Sequence, residues 1–119
     1  MATTFGKAFY ERHVDFLEKQ DINNLIEMQY HPDAVLVGFD FIVRGQAALR
    51  EHFKNYLEHL GTITLLSTDK FTEIEDAIFF EATVKTDFGE AVVYDVFTFQ
   101  DGKAIRQFTG VKSVKPKQS

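Results

Sequence analysis

The second half of the chain contains four consecutive strand-like segments, and this feature constrains the fold more than any other. The segments span residues 62–73, 77–86, 90–100 and 103–111 and are rich in β-branched and aromatic residues. Residue pairs typical of tight turns separate them: Glu75-Asp76, Phe88-Gly89 and Asp101-Gly102. Because such short connections join neighbouring antiparallel strands, the sequence predicts an antiparallel meander.

Three helical patterns precede these strands. The first runs from Thr4, a suitable N-cap, to Gln20, and its apolar side chains recur on one side at helical spacing. Asp21 can cap a short second helix, and a third follows Gly45 and ends at Gly61, a residue suited to a C-cap. Helices followed by a run of strands predict an α+β fold rather than an alternating parallel one.

The length and composition are those of one globular domain. A chain of 119 residues suffices for one hydrophobic core, and 45% of its residues are hydrophobic. With 13 phenylalanines and no tryptophan, aromatic packing should dominate that core. We expect a single domain over residues 1–112 and a flexible tail over residues 113–119.

Charge and residue usage exclude several classes of function. A net charge of −5 with scattered acidic residues argues against nucleic acid or an anionic membrane as a partner. The absence of cysteine excludes disulfides, thiolate catalysis and cysteine metal sites. His31, His52 and His59 lack the spacing of metal ligands and are interpreted as solvated side chains, so no metal or other cofactor is predicted. No apolar run reaches membrane-spanning length, and we expect a cytoplasmic protein.

Asp95 lies in the middle of the otherwise apolar strand EAVVYDVFTFQ. A two-residue loop at Phe88-Gly89 would pair Ala82 with Asp95 and place Asp95 on the more apolar face of the hairpin. That face should pack against the helices, whereas a shift of one residue would bury charged side chains instead. Because an isolated buried charge costs several kcal/mol or takes its neutral form, the inward orientation predicted for Asp95 requires an explanation.

His13 lies near the centre of the apolar side of the first helix, so it should face the same interior as Asp95. In one interpretation the two share a cavity. In the other, each is satisfied locally by a backbone group, by Tyr10 or by the other, and does no chemistry. Tyr10 and Tyr56 point inward as core residues or as pocket donors. The expected ligand-binding residues are Tyr10, Tyr56, Phe80, Phe97 and Phe108.

The register of the last hairpin stays open at this stage. A two-residue turn at Asp101-Gly102 would direct Phe108 towards the pocket and would also bring Arg106 inward near the end of the sheet. Phe108 is therefore expected in the pocket only on that condition.

The stretch HPDAVLVGFDFIVRGQAALREHF, residues 31–53, resembles the signature of the SnoaL-like branch of the nuclear transport factor two-like superfamily. The order of helices and strands is similar over nearly all of residues 5–111. The resemblance implies a cystatin-like cone, in which three N-terminal helices pack in a curved antiparallel sheet around a hydrophobic pocket. Members of the superfamily include polyketide cyclases, ketosteroid isomerase, scytalone dehydratase and limonene-epoxide hydrolase, together with many non-catalytic proteins.

The resemblance also implies roles for individual residues. Asp95 resembles the protonated aspartate of ketosteroid isomerase, and His13 falls where the oxyanion-hole tyrosine of that enzyme would be. Gly38 stands where its base is expected, with Asp40, two residues on, as a substitute. The Arg-x-Asp triplet of limonene-epoxide hydrolase is absent. In the polyketide cyclases a single pocket acid serves as general acid-base, a role that Asp95 could fill with His13.

Two functions are therefore carried forward. The first is an acid-base enzyme of the cyclase, isomerase or dehydratase type that acts on a hydrophobic carbonyl compound, with Asp95, His13 and Asp40 as catalytic residues. The second is a non-catalytic ligand-binding or dimerisation domain. The other face of the sheet, which carries Tyr94 and Val96, is amphipathic and would suit a homodimer interface. Homodimers are common in the superfamily that this chain resembles.

Overall fold

A computed structural model of the chain describes residues 3–117, which form three helices and six strands. The helices are α1 (Phe5–Lys19), α2 (Ile22–Gln29) and α3 (Gln46–Leu60). The strands are β1 (Tyr30–Val37), β2 (Ile42–Arg44), β3 (Ile63–Ile74), β4 (Ala77–Thr86), β5 (Gly89–Gln100) and β6 (Lys103–Pro116). The α+β class and the three-helix arrangement are confirmed. No helix among the described residues is long and apolar enough to cross a membrane.

The helices begin and end where the sequence predicts. Thr4 Oγ1 accepts a hydrogen bond from the backbone N–H of Lys7, and Asp21 caps α2 in the same way. Gln20 closes α1 in the left-handed conformation, and Gly61 ends α3 with a φ of 76°, which a residue with a side chain would adopt only with strain. These caps fix the directions in which the helices lie against the sheet.

The six strands form one curved sheet in the order β2-β1-β6-β5-β4-β3. The last four strands are an antiparallel meander, as the turn signals predict, and β1 joins it through a parallel pairing with β6. One face of the sheet packs against the helices around a core rich in aromatic side chains, among them Phe9, Tyr30, Phe80 and Phe97. The second half of the chain thus supplies a concave wall for any interior site.

The β4–β5 hairpin confirms the predicted inner face and corrects its register. The turn is formed by Asp87 and Phe88, because Gly89, with a φ of 133°, already pairs with Thr86. Asp95 consequently lies opposite Phe80 and not opposite Ala82. The shift is two residues, so the alternation of side chains is unchanged and Asp95 points inward as predicted.

The β5–β6 hairpin contains the predicted two-residue turn, but the β6 residues after Ile105 point to the opposite face of the sheet from the one predicted. A β-bulge at Ile105 separates the pairs Phe99↔Ala104 and Thr98↔Arg106. Phe108 is therefore on the outer face, where it is 45% exposed, and the expectation that it faces the pocket is wrong. Arg106 is likewise exposed.

The C-terminal segment is more ordered than the sequence suggests. Residues 113–116 were expected in a flexible tail, but they continue β6 and pair with the start of β5, from Val92↔Ser113 to Gly89↔Pro116. The segment Ser-Val-Lys-Pro contains one β-branched residue and a proline, so it gives no strand signal. Its strand conformation comes from the backbone hydrogen bonds to β5. The last two residues of the predicted tail lie outside the described residues.

Candidate functional site

A cavity of about 440 Å³ lies between the inner face of the sheet and the helices α1 and α3. Its size is within the range of small-molecule sites. Aliphatic and aromatic side chains form most of its wall, and it reaches the surface beside exposed residues such as Phe39 and Asp40. The polar and ionisable residues that line it are Tyr10, His13, Glu18, Asp40, His52, Tyr56, Asp95, Gln107 and Thr109.

Asp95 lies on this wall near the middle of β5 and is 8% exposed. Its Oδ1 accepts a hydrogen bond of 3.0 Å from Nε2 of Gln107, and Thr109 lies opposite it on β6. Desolvation raises the pKa of Asp95 to about 7, against the opposing effects of Gln107 and Thr109. Near neutral pH this carboxyl group can therefore both hold and release a proton.

Gln107 makes a second hydrogen bond, to a residue of the core. The hydroxyl of Tyr30, a fully buried residue, donates to Oε1 of Gln107 at 2.5 Å. Burial, with a smaller contribution from the charge of Asp95, raises the pKa of Tyr30 well above its ordinary value, so the phenol keeps its proton. Tyr30, Gln107 and Asp95 thus form a continuous hydrogen-bonded chain that runs from the core to the cavity wall.

His13 lines the same cavity from α1 and is 4% exposed. Its Nδ1 lies 2.9 Å from Oε1 of Gln29, and Nε2 of Gln29 donates to the backbone carbonyl of Phe9 at 3.0 Å. The imidazole also meets the ring of Phe97 edge to face, with 5.0 Å between ring centroids. Desolvation lowers the pKa of His13 to about 4, so the ring is neutral at physiological pH.

The structure brings His13 and Asp95 to one cavity and gives each its own glutamine. No hydrogen bond joins the two in the described part of the chain. Both groups line one cavity, as the first interpretation predicts. Each is also satisfied locally, but by a glutamine side chain and not by a backbone group, by Tyr10 or by the other member of the pair.

The other predicted site residues divide into three groups. Tyr10, Tyr56 and Phe80 line the cavity, and the hydroxyl of Tyr10 is hydrogen-bonded to Thr68 at 2.6 Å. Asp40 lies at an exposed bend on the rim. Phe97 is fully buried behind the wall, and Phe108 is on the opposite side of the sheet.

Gly38, where a catalytic base is expected from the resemblance to ketosteroid isomerase, has no room for a side chain. The ring of Phe41 fills the space that a Cβ at Gly38 would occupy. A longer side chain at this position would have to displace that ring, and Phe41 is a cavity-lining residue. A carboxylate at position 38 would therefore require this part of the cavity wall to rearrange.

Sequence reasoning missed His52, which was interpreted as a solvated helix edge. It lines the cavity between Phe41 and Tyr56, and the three rings stack in a row. Desolvation lowers the pKa of His52 and raises that of Tyr56 to about 12, so at neutral pH Tyr56 remains a hydrogen-bond donor. The signal was present, because His52 and Tyr56 are four residues apart on one face of α3.

No group of three histidine, aspartate or glutamate side chains within residues 3–117 is placed to hold a metal ion. The ionisable side chains that line the cavity include a carboxyl group at Asp95, imidazoles at His13 and His52, and phenol hydroxyls at Tyr10 and Tyr56.

Comparison with solved structures shows that the fold recurs widely. An NTF2-like protein from Anabaena variabilis is 18% identical, with a TM-score of 0.80 and coverage of 95% of this chain and 96% of that one. A candidate polyketide cyclase from Sinorhizobium meliloti is 19% identical, with a TM-score of 0.76 and coverage of 87% and 94%. TerC, crystallised with polyporic acid, is 18% identical, with a TM-score of 0.78 and coverage of 92% of each chain. At these identities the similarity shows the fold alone.

No curated protein sequence matches the chain at significant similarity. The sequence profile of the SnoaL-like domain, in contrast, matches residues 10–107, which include the cavity-lining parts of α1, α3 and the sheet up to Gln107. The chain belongs to the SnoaL-like domain family.

Proposed function

We propose that this protein binds a small hydrophobic carbonyl compound and acts on it by acid-base chemistry, with Asp95 as the proton donor. The single observation that carries the proposal is the position of Asp95, a carboxyl group with a pKa of about 7 on the wall of a largely apolar cavity. A general acid works best when its pKa lies near the working pH. The candidate polyketide cyclase from S. meliloti has the same fold, which is consistent with this reaction class.

The surroundings of Asp95 favour a carbonyl compound. A protonated carboxyl donates a hydrogen bond to a carbonyl oxygen, and this bond strengthens as negative charge develops there during ring closure. The oxygen takes the Asp95 proton as the new carbon–carbon bond forms, and the proton lost from the attacking carbon returns the carboxylate to its acid form. Tyr56, which lines the same cavity from α3, adds a second hydroxyl donor. Apolar residues such as Leu36, Leu65 and Val93 would enclose the hydrocarbon part of the ligand.

A thermal-shift screen with turnover assays tests the proposal. Wild type and Asp95→Asn are incubated with polyketide-like, steroid-like and small aromatic carbonyl compounds at about 100 times Kd, where one-site binding adds about 2.7 kcal/mol of stability. We expect one class to stabilise wild type and to be converted by it, with conversion lost in Asp95→Asn. A compound that binds both proteins and is converted equally by both would contradict the role of Asp95.

A non-catalytic binding domain is the second candidate, and Gly38 favours it. Phe41 fills the space beside Gly38, directly after β1, so a second acid at that position would have to displace the ring. This candidate predicts ligand-induced stabilisation without conversion, and without hydrogen exchange at the carbon next to the carbonyl in deuterated water. Exchange detected by NMR would exclude it.

We also propose that the outer face of the sheet forms a homodimer. Phe79, Val96 and Phe108 lie side by side on three adjacent strands, and Phe79 and Phe108 are about half exposed. A contiguous apolar row of this kind suits a self-complementary interface. Light scattering should give twice the chain mass for wild type and the monomer mass for Phe108→Lys. Phe88→Lys, at an exposed turn, is the matched control and should remain dimeric.

A further inference from the structure

Two buried glutamines hold the two ionisable groups of the cavity, Gln29 at His13 and Gln107 at Asp95. Gln29 touches a backbone carbonyl, that of Phe9, which can only accept hydrogen bonds. Its amide nitrogen must therefore face Phe9, and its oxygen Oε1 must face His13. Because Oε1 can only accept, Nδ1 of His13 carries the proton in this contact.

The other nitrogen of the ring is then unprotonated. A neutral imidazole carries one proton, and that proton is on Nδ1, so Nε2 of His13 is a hydrogen-bond acceptor. Among residues 3–117, every fully buried side-chain nitrogen or oxygen has a hydrogen-bond partner. The hydrogen bond of His13 is made by Nδ1, and Nε2 has no partner among these residues. Nε2 is therefore accessible, and for a side chain enclosed by Phe9 and Phe97 the accessible space is the cavity.

The second glutamine acts on Asp95 with the opposite end of its amide. Oε1 of Gln107 accepts from the Tyr30 hydroxyl, so Nε2 of Gln107 donates to Oδ1 of Asp95. While Gln107 keeps this orientation, a proton on the carboxyl group lies on Oδ2, and the Thr109 hydroxyl is the second hydrogen-bonding neighbour of this group. The cavity therefore offers an acceptor at His13, on α1, and a donor at Asp95, on β5, when that carboxyl group is protonated.

We propose that the cavity selects ligands that carry both a hydroxyl group and a carbonyl group on a hydrophobic frame, with the hydroxyl donating to Nε2 of His13. This substrate class rests on the proposed function, which places the carbonyl at Asp95. His13 is thus a specificity-determining residue, and Gln29 is the positioning residue that fixes its tautomer.

The tautomer is tested without any ligand. Two-bond ¹H–¹⁵N correlations of the His13 ring at neutral pH distinguish a protonated Nδ1 from a protonated Nε2. We expect a protonated Nδ1 and an unprotonated Nε2 in wild type, and a mixture or the opposite tautomer in Gln29→Met, which removes the acceptor at similar side-chain length. A protonated Nε2 in wild type would overturn the inference whether or not the protein is an enzyme.

The ligand class is tested with hydroxy-acetonaphthones and their O-methyl ethers, measured as matched pairs by isothermal titration calorimetry. Wild type should bind the hydroxyl member of at least one pair roughly fivefold more tightly than its ether, the value of about one net hydrogen bond. His13→Asn retains a donor for Gln29 but lacks Nε2, so it should bind both members equally. Equal binding by wild type would overturn the role of His13 while leaving that of Asp95 intact.

Failure of every acetonaphthone to bind would overturn the ligand class and count against the proposed function as well. The NMR result for His13 separates these cases, because it reports the acceptor directly. A preference for the hydroxyl member that persists in His13→Asn would assign the hydroxyl contact to another residue and would overturn the proposal.

Discussion

The His13 and Asp95 networks each hold an ionisable group in one cavity, His13 on α1 and Asp95 on β5, and they differ in whether the proton can move. Each places an ionisable group in an apolar interior and satisfies one of its atoms with a glutamine amide. Gln29 is anchored by a backbone carbonyl and cannot reverse, whereas Gln107 is anchored by the Tyr30 hydroxyl, which can donate or accept. The first network fixes a proton, and the second can follow a change of protonation.

Both groups are shifted by desolvation towards their neutral forms, but in opposite directions on the pH scale. The pKa of His13 falls from 6.5 to about 4, and that of Asp95 rises from 3.8 to about 7. Between pH 4 and 7 the two groups therefore change the free energy of unfolding in opposite directions. In wild type the two changes should largely cancel. Single substitutions expose each effect in turn.

Asp95→Asn gives the largest expected change. Between 3.8 and about 7 the folded chain retains a proton on Asp95 that the unfolded chain has released, so this group's contribution to stability is lost as the pH rises. The unfolding free energy of the variant relative to wild type should increase by on the order of 4 kcal/mol from pH 4 to pH 8. Urea denaturation at several pH values measures it, and a constant difference would contradict the raised pKa.

His13→Asn should reveal the opposite slope. Between about 4 and 6.5 the unfolded chain binds a proton at His13 that the folded chain does not, so acid destabilises wild type through this group. Removing it should make the variant gain on the order of 3 kcal/mol relative to wild type as the pH falls from 7 to 4. The same denaturation series tests this, and a parallel pH profile would mean that His13 titrates normally.

Tyr30→Phe tests the reversible network. Loss of the hydroxyl leaves Oε1 of Gln107 without its donor, at a cost of about 1–3 kcal/mol. The freed amide can turn its oxygen towards Asp95, where it would accept from the protonated carboxyl and raise the pKa of Asp95 further. Carboxyl ¹³C titration should show an upward shift, and an unchanged midpoint would show that Tyr30 does not set the orientation of Gln107.

Asp40→Asn gives the smallest expected change. Asp40 lies at an exposed bend on the cavity rim, so its substitution should alter stability by within about 0.5 kcal/mol. If Asp95 is the working acid, the pH profile of any activity should also keep its midpoint. A shifted midpoint would return the catalytic role to Asp40.

The sequence predicted those features that depend on alternation alone. Asp95 was assigned to the inner face through an incorrect register, because a shift of two residues preserves the face. His13 followed from the helical spacing of its apolar neighbours. Alternation and helical spacing alone therefore place both groups on surfaces that face the interior.

The features of the site that the sequence did not predict depend on a β-bulge and on contacts between residues far apart in the chain. The bulge at Ile105 reverses the faces of β6, so Phe108 was expected inside while Gln107 and Thr109 were overlooked. Nothing in the alternation of that strand marks an extra residue. Gln29 was overlooked because its role depends on a carbonyl of another helix, at Phe9.

A carboxyl ¹³C titration of Asp95 in the wild-type protein tests the central claim most directly. A midpoint near pH 7, with His13 still neutral in the same sample, is the result predicted for an acid on the wall of an apolar cavity. A midpoint near 4, the ordinary value for aspartate, would mean that water reaches the group freely. Asp95 would then be ionised at neutral pH and could not donate the proton that the proposed function requires.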